Sequence, residues 1–437
     1  MKRTLGNLYR QTRKRLGRLY RKTRQRLSRP VHVDDWIEDK CLLLSDRLFL
    51  PSDRRLTILD DLFPYLLSAF RIAEYNAYLD YFPMAQVAST GATFHLARER
   101  RSFTQVRAEY FKRYPQNKGR VSHYYFRRIL PAGLAYTIFI NNAFQFIEQF
   151  EQANLPFVFT LYPGGGFHLD DAACERKLHR VLTSSCFRKV IVTQKISYDY
   201  LLSKGWCTPS QMEFVYGCVI PKNSQPEQTI AKRHYQQSKA TFDICFVAYK
   251  YMPRGVDKGY DIFIEAAKAL AKVHPDFRFH VVGPFNEQDI DVHELSDRLR
   301  FYGSQTTDFF TGFYKEMDVI LSPNIPFTLY PGAFDGFPTA ACMEAGMAGV
   351  AVFCTDLLQQ NFIFRKGEEI VIIPHDAHSI CEQIEHYRRD YDALHRLSRQ
   401  GQEAFRRVFA LEAQMAPRLR LLSAYLESGA KGEASIV

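Results

Sequence analysis

The chain has little of what a disulfide scaffold, a structural zinc site or a spanning helix requires. Its nine cysteines are scattered, with no Cys-x-x-Cys pair, which argues against a disulfide framework or a structural zinc and suits a reducing cytosol. No apolar run approaches the ~18 residues that cross a bilayer, and no signal-peptide core follows the basic start. Asp289-Ile290-Asp291 has the form of a metal-binding Asp-x-Asp. It lies in a polar stretch well after a strand, so it reads as solvated surface and no metal is expected.

Acid is wholly missing from residues 1–30, which carry 12 Lys and Arg; the remainder holds 46 basic and 47 acidic residues, so the net charge of +11 originates there. The same segment is an eleven-residue duplication, Gly6 to Leu16 recurring as Gly17 to Leu27. Eleven residues are close to a whole number of helical turns. Leu8, Tyr9, Leu16, Leu19, Tyr20 and Leu27 therefore share one stripe, while Arg13, Arg24 and the other cations fill the rest. Such a helix gains most on an anionic bilayer, where the stripe enters the interface and the cations meet the headgroups. A peripheral anchor on the inner face of the cell membrane is expected. Nucleic acid is not, because base or phosphate contacts have no need of regular Leu and Tyr spacing.

The most informative stretch is Phe334-Asp335-Gly336-Phe337-Pro338-Thr339-Ala340-Ala341-Cys342-Met343-Glu344-Ala345-Gly346. It reads as a turn leading straight into a helix. Gly336 suits a turn closed to other residues, and Pro338 suits the first helical turn. The helix start, with Thr339, offers unpaired N–H groups and partial positive charge to a phosphate. Glu344 lies further along as an acceptor for two hydroxyls. Apolar strands flank the unit, Val319-Ile320-Leu321-Ser322 before and Gly349-Val350-Ala351-Val352-Phe353-Cys354 after, making a βαβ element whose loop is at the ligand-binding end. Phosphate and diol side by side describe a nucleotide-activated sugar.

Here the sequence resembles the retaining nucleotide-sugar glycosyltransferases of family 4, with the GT-B fold, over most of residues 240–400. Their signature is an acid, a Gly-Phe-Pro-like turn, a second acid and a small-residue segment entering a strand. The family usually has seven residues between the acids, whereas eight separate Asp335 from Glu344. Either the turn carries a bulge or Asp335 lies off the usual place. The resemblance implies a ribose role for Glu344, a sugar contact for Asp335, and cations on the donor diphosphate after the strand at 242–249. Lys250 takes the place of the family's Arg there, and Lys258, ahead of Gly259, matches the family's Lys-Gly. It also implies donor contacts at Gly336, Phe337, Pro338 and Thr339, at the strand end Gly283, and at Tyr302-Gly303 beside the nucleobase. The donor is a substrate; no cofactor is expected.

The amino-terminal half repeats strand-then-helix spacing from Leu56-Thr57-Ile58-Leu59-Asp60-Asp61 onward, which argues a second α/β, doubly wound parallel sheet. Strands are expected at 135–140, ending in Asn141-Asn142, and at 155–160, ending in Tyr162-Pro163-Gly164-Gly165-Gly166-Phe167-His168. Gly164 and Gly165 allow close approach by a ligand or form a flexible turn. Many family members carry a His near the sugar in this region, which makes His168 a candidate. Thr328-Leu329-Tyr330-Pro331-Gly332-Ala333 echoes Thr160-Leu161-Tyr162-Pro163-Gly164-Gly165.

The expected organisation is a basic arm (1–30), a Rossmann-like acceptor-side domain (31–221), a linker (222–240), a Rossmann-like donor domain (241–405), and a carboxy-terminal helix crossing back before a polar tail (406–437). The reading is a metal-independent retaining glycosyltransferase acting on a saccharide or lipid-linked saccharide acceptor in bacterial surface-polysaccharide synthesis. A nucleotide-sugar epimerase of the same fold and a non-catalytic binding scaffold stay open.

Overall fold

The structure is a computed structural model that describes residues 55–94, 101–124, 132–222 and 232–433, with side chains to 427. The duplicated arm, and with it Leu8, Tyr9, Arg13, Leu16, Leu19, Tyr20, Arg24 and Leu27, lies outside them. The short apolar runs become strands buried on both faces, as in parallel sheets covered by helices. The first sheet comprises β1 (Leu56–Asp60), β2 (Gln86–Ser89), β3 (Val121–His123), β4 (Leu134–Ile138), β5 (Phe157–Leu161), β6 (Phe187–Val192) and β7 (Met212–Phe214). The second comprises β8 (Phe242–Val247), β9 (Phe277–Val282), β10 (Leu299–Phe301), β11 (Val319–Ser322), β12 (Ala351–Cys354) and β13 (Val371–Ile372). Their orders are β3-β2-β1-β4-β5-β6-β7 and β10-β9-β8-β11-β12-β13. Every pairing between these strands is parallel. Two doubly wound sheets, each in its own domain, make the GT-B architecture.

Two boundaries differ from expectation. Asn141 and Asn142 are not at a strand end but in the first turn of the helix Ile140–Gln152. Residues 232–240 are not linker: Tyr235 is buried in the second core, and its N–H donates to Asp318 Oδ1 at 3.0 Å. Burying that one ring outweighs the polar composition around it.

The chain then returns. After the helix Tyr391–Phe409 of the second domain, the helix Leu411–Glu433 packs Met415, Leu422 and Leu426 among Tyr75, Tyr78 and Val219 of the first. Its Arg418 is fully buried. The Arg418 guanidinium donates to the Gln414 carbonyl at 2.6 Å and to Tyr162 Oη at 3.3 Å, and its Nε lies 3.9 Å from Glu74 Oε1. Glu74, equally buried, accepts from Tyr78, Tyr136 and Tyr162. Burial works against the Arg418 charge, but Tyr162 and Glu74 hold its pKa well above the ordinary value. A buried ion pair adds little net stability, yet removing one partner is costly because the other is left charged in the interior. Arg418→Ala is expected to lose about 3–5 kcal/mol in urea unfolding, with Glu74→Gln in the same chain recovering part of it.

Candidate functional site

In each sheet two neighbouring strands, β1 with β4 and β8 with β11, send the chain away in opposite directions. At such switch points the following helices splay and leave a crevice beyond the carboxyl ends. The two crevices face each other across a cavity of about 660 Å³, a size suited to a small-molecule ligand. Its second-domain wall includes Tyr251, Lys258, Asn324, Asp335, Thr339, Ala340, Ala341 and Glu344; its first-domain wall includes Asp61, Leu66, Phe70, Arg71, Asn141, Asn142 and Gly165.

The helix Ala340–Met347 begins on this cavity. Thr339 is its N-cap, with Oγ1 accepting from the Cys342 N–H at 3.4 Å. The Phe337 N–H is taken from across the cleft by Gln194 Oε1 at 3.0 Å. The Ala340 and Ala341 N–H groups make no hydrogen bond among the described residues and stand at the positive end of the helix. Glu344, only 8% exposed, lines the cavity one turn further in. Gly336 does not take the special backbone expected of it. Its lack of a side chain makes room for Gln194, whose Nε2 a Cβ would meet at 3.3 Å. Pro338 is not in the first turn but precedes the cap. Gly336, Phe337 and Pro338 therefore shape the turn without lining the cavity.

Lys258 and Asp335 come together. Lys258 Nζ lies 2.7 Å from both Asp335 carboxylate oxygens and 3.7 Å from Asp257. Burial disfavours the ammonium, yet the Asp335 charge and hydrogen bonds raise its pKa above the usual value. It is a cation at any physiological pH. Asn324 Nδ2 also donates to Asp335 Oδ2, at 2.7 Å. The eight-residue spacing therefore leaves Asp335 in the cleft, but as the partner of Lys258.

Other expected residues fall elsewhere. Lys250 does not line the cavity; its Nζ pairs with Asp289 Oδ1 at 2.5 Å. That also corrects the reading of Asp289 as solvated, since its side chain is 14% exposed. Tyr302 turns from the cavity to His280, Oη to Nδ1 3.0 Å, and the Gly303 carbonyl is occupied by the Gly283 N–H. Gly283 and residues 304–307 line that end instead. A Cβ on Gly283 would lie 1.9 Å from the Ala248 carbonyl oxygen, so only glycine fits. His168 is also displaced: its ring stacks on Tyr330 at 4.8 Å, and burial lowers its pKa. The echoed turns meet there, with the Leu169 N–H donating to the Gly332 carbonyl at 2.9 Å. Gly165 lines the cavity and Gly164 does not. Among the described residues no group of three or more His, Cys, Asp or Glu could hold a metal ion, and no helix is long and apolar enough to cross a membrane.

Sequence reasoning missed Tyr251, Asn324, Asp61 and Arg71. Asp60-Asp61, two acids at the end of the first strand, was the available signal for the last pair. Asn324 had none.

Residues 250–404 match the family model described as Glycosyl transferases group 1. No curated protein matches the chain. Among solved structures, Anabaena HepE in complex with UDP and glucose is similar with a TM-score of 0.61 at 14% identity, over 85% of this chain and 100% of that one. A glycosyltransferase from Rickettsia africae gives 0.59 at 15%, over 85% and 99%. Sucrose-phosphate synthase from Thermosynechococcus elongatus gives 0.53 at 15%, over 85% and 99%. These likenesses show the fold.

Inorganic pyrophosphate is expected to slow hydrogen exchange at the Ala340 and Ala341 amides and to raise the melting temperature. Lys258→Ala should abolish both effects; unchanged exchange would place the anion elsewhere.

Proposed function

We propose that this chain, a GT-B protein whose residues 250–404 belong to the glycosyl transferases group 1 family, moves a sugar from a nucleotide-sugar donor to a saccharide acceptor. The reading is carried by one juxtaposition: the Lys258 cation, the open amides of Ala340 and Ala341, and the Glu344 carboxylate share one cavity. The first two suit a diphosphate and the third suits the hydroxyls of the adjoining ribose. The similarity to HepE, which is solved with UDP and glucose, supports the same donor chemistry.

Negative charge builds on the diphosphate as the glycosidic bond breaks, and fixed donors aimed at that charge lower the barrier. Lys258 bridges the leaving group and Asp335. Asp335, held also by Asn324, keeps one edge for a sugar hydroxyl. We read the reaction as retaining. The acceptor oxygen attacks the anomeric carbon from the face that the phosphate leaves, and a phosphate oxygen takes the acceptor proton. The products are the glycoside and the nucleoside diphosphate, with no protein base and no metal required. The two walls exclude water and limit donor hydrolysis.

The finer assignment is a lipid-linked acceptor in surface-polysaccharide synthesis. Residues 1–30, with 12 cations and no acid, hold the enzyme on the anionic inner face of the membrane where such an acceptor lies. Binding to anionic but not neutral vesicles, lost when residues 1–30 are removed, supports the anchor; RNA displacing the vesicles would instead favour a nucleic-acid arm.

A panel of nucleotide sugars tests the activity. Lys258→Ala and Glu344→Ala are each expected to lower kcat/KM by about 10²-fold or more while the melting temperature shows a folded chain. Lys250→Ala should leave turnover near that of the wild type. Donor bound with no turnover on any acceptor would leave a binding scaffold, and donor isomerised without acceptor would leave an epimerase.

A further inference from the structure

The first-domain wall of the cleft has a chemistry of its own. Asp61 lies at the end of β1, and its Oδ1 accepts from Arg71 Nη2 at 3.0 Å and Asn142 Nδ2 at 3.2 Å. Its Oδ2 makes no hydrogen bond among the described residues, and the side chain is 15% exposed into the cavity. One oxygen is thus clamped and the other is presented.

Arg71 is no spare cation. Its Nε lies 3.5 Å from Asp60 Oδ2, so one guanidinium faces two carboxylates. Among the described residues that wall has no surplus positive charge for a phosphate, and an accepting oxygen held in place there selects a hydroxyl.

Beside it the surface is apolar. Leu62, Leu66, Leu67 and Phe70 line the same cavity, and Leu67 is 43% exposed. Phe70 is held edge-on against Phe139 and Tyr162, with ring centroids 6.2 and 5.4 Å apart. Phe139 itself takes φ 67°, a left-handed backbone that a bulky residue rarely adopts. Its ring thereby lies under the Arg71 guanidinium, 5.1 Å from the centroid, and packs where a Cβ on Gly165 would stand. Backbone strain of this kind collects where a ligand surface is shaped.

We propose that this wall takes an amphiphilic acceptor, with Asp61 Oδ2 gripping a hydroxyl of its head and Leu66, Leu67 and Phe70 covering an adjoining apolar portion. The proposal rests on the glycosyl-transfer reading and specifies the acceptor class for it. A membrane-bound acceptor would then be recognised inside the cleft by its apolar portion as well as being brought near by the arm.

The test compares methyl glycosides with the matching octyl glycosides as acceptors, under a saturating nucleotide sugar. The octyl member of the best pair is expected to show a KM at least 10-fold lower, with the difference lost in Leu67→Asp and Phe70→Ser. Asp61→Asn should raise the KM for both members about 10- to 100-fold while nucleotide affinity by calorimetry stays within about 2-fold. Asp61→Glu keeps the charge beside Arg71 and should behave the same way if Asp61→Asn fails to fold. Equal KM for methyl and octyl acceptors, or an unchanged acceptor KM in both Asp61 variants, overturns the proposal. Failure of the wild type to bind or turn over any nucleotide sugar would strike the underlying reading instead.

Discussion

The cleft depends on the return helix, and the return helix is fixed by Arg418. A guanidinium with no solvent contact must sit where Tyr162 and Glu74 of the first domain can meet it. That requirement ties a helix leaving the second domain to the core of the first. Weaker contacts then set the remaining freedom: the Leu169 N–H on the Gly332 carbonyl, Gln194 on the Phe337 amide, and the exposed Arg113–Asp308 pair. Two of these use glycines. A Cβ on Gly332 would lie 2.0 Å from the Leu169 carbonyl oxygen. The domains approach this closely because side chains are missing where backbones meet.

Held in this way, the two walls divide the chemistry. The second domain offers a buried cation, two open amides and a carboxylate set deeper. The first offers a clamped carboxylate, amide side chains and an apolar surface. Lys258 is the hinge of this division. Its partner Asp335 keeps the ammonium charged despite burial, so the cation is ready for an anion without a change of protonation. Gln194 works from the other side: it takes the Phe337 amide, while among the described residues the Ala340 and Ala341 amides stay open for a ligand.

Much of the fold was legible because parallel strands buried on both faces appear as unbroken apolar runs at regular spacing. The positions of Lys258 and Glu344 on the cavity were legible for a related reason. Each stands at a fixed offset from a turn inside one βα unit, where the local backbone alone aims the side chain. Lys250 was not, because a cation on a longer loop turns toward whichever acid the fold supplies, and Asp289 lies 39 residues away. His168 failed similarly: its environment is set by Tyr330 from the other domain. Gly336 meets a space requirement rather than a backbone one, and its neighbour Gln194 lies 142 positions earlier in the chain. Asp61 and Arg71 pair across ten residues of helix and loop, and nothing in either residue alone announces it.

The start of the helix Ala340–Met347 is proposed to receive a diphosphate whose ribose reaches Glu344. A crystal structure of the protein with a bound nucleotide sugar tests it most directly. Phosphate oxygens are expected within hydrogen-bond distance of the Ala340 and Ala341 amides and of Lys258 Nζ, with both ribose hydroxyls on the Glu344 carboxylate. A nucleotide seated away from that helix, or a ribose that leaves Glu344 untouched, would contradict it.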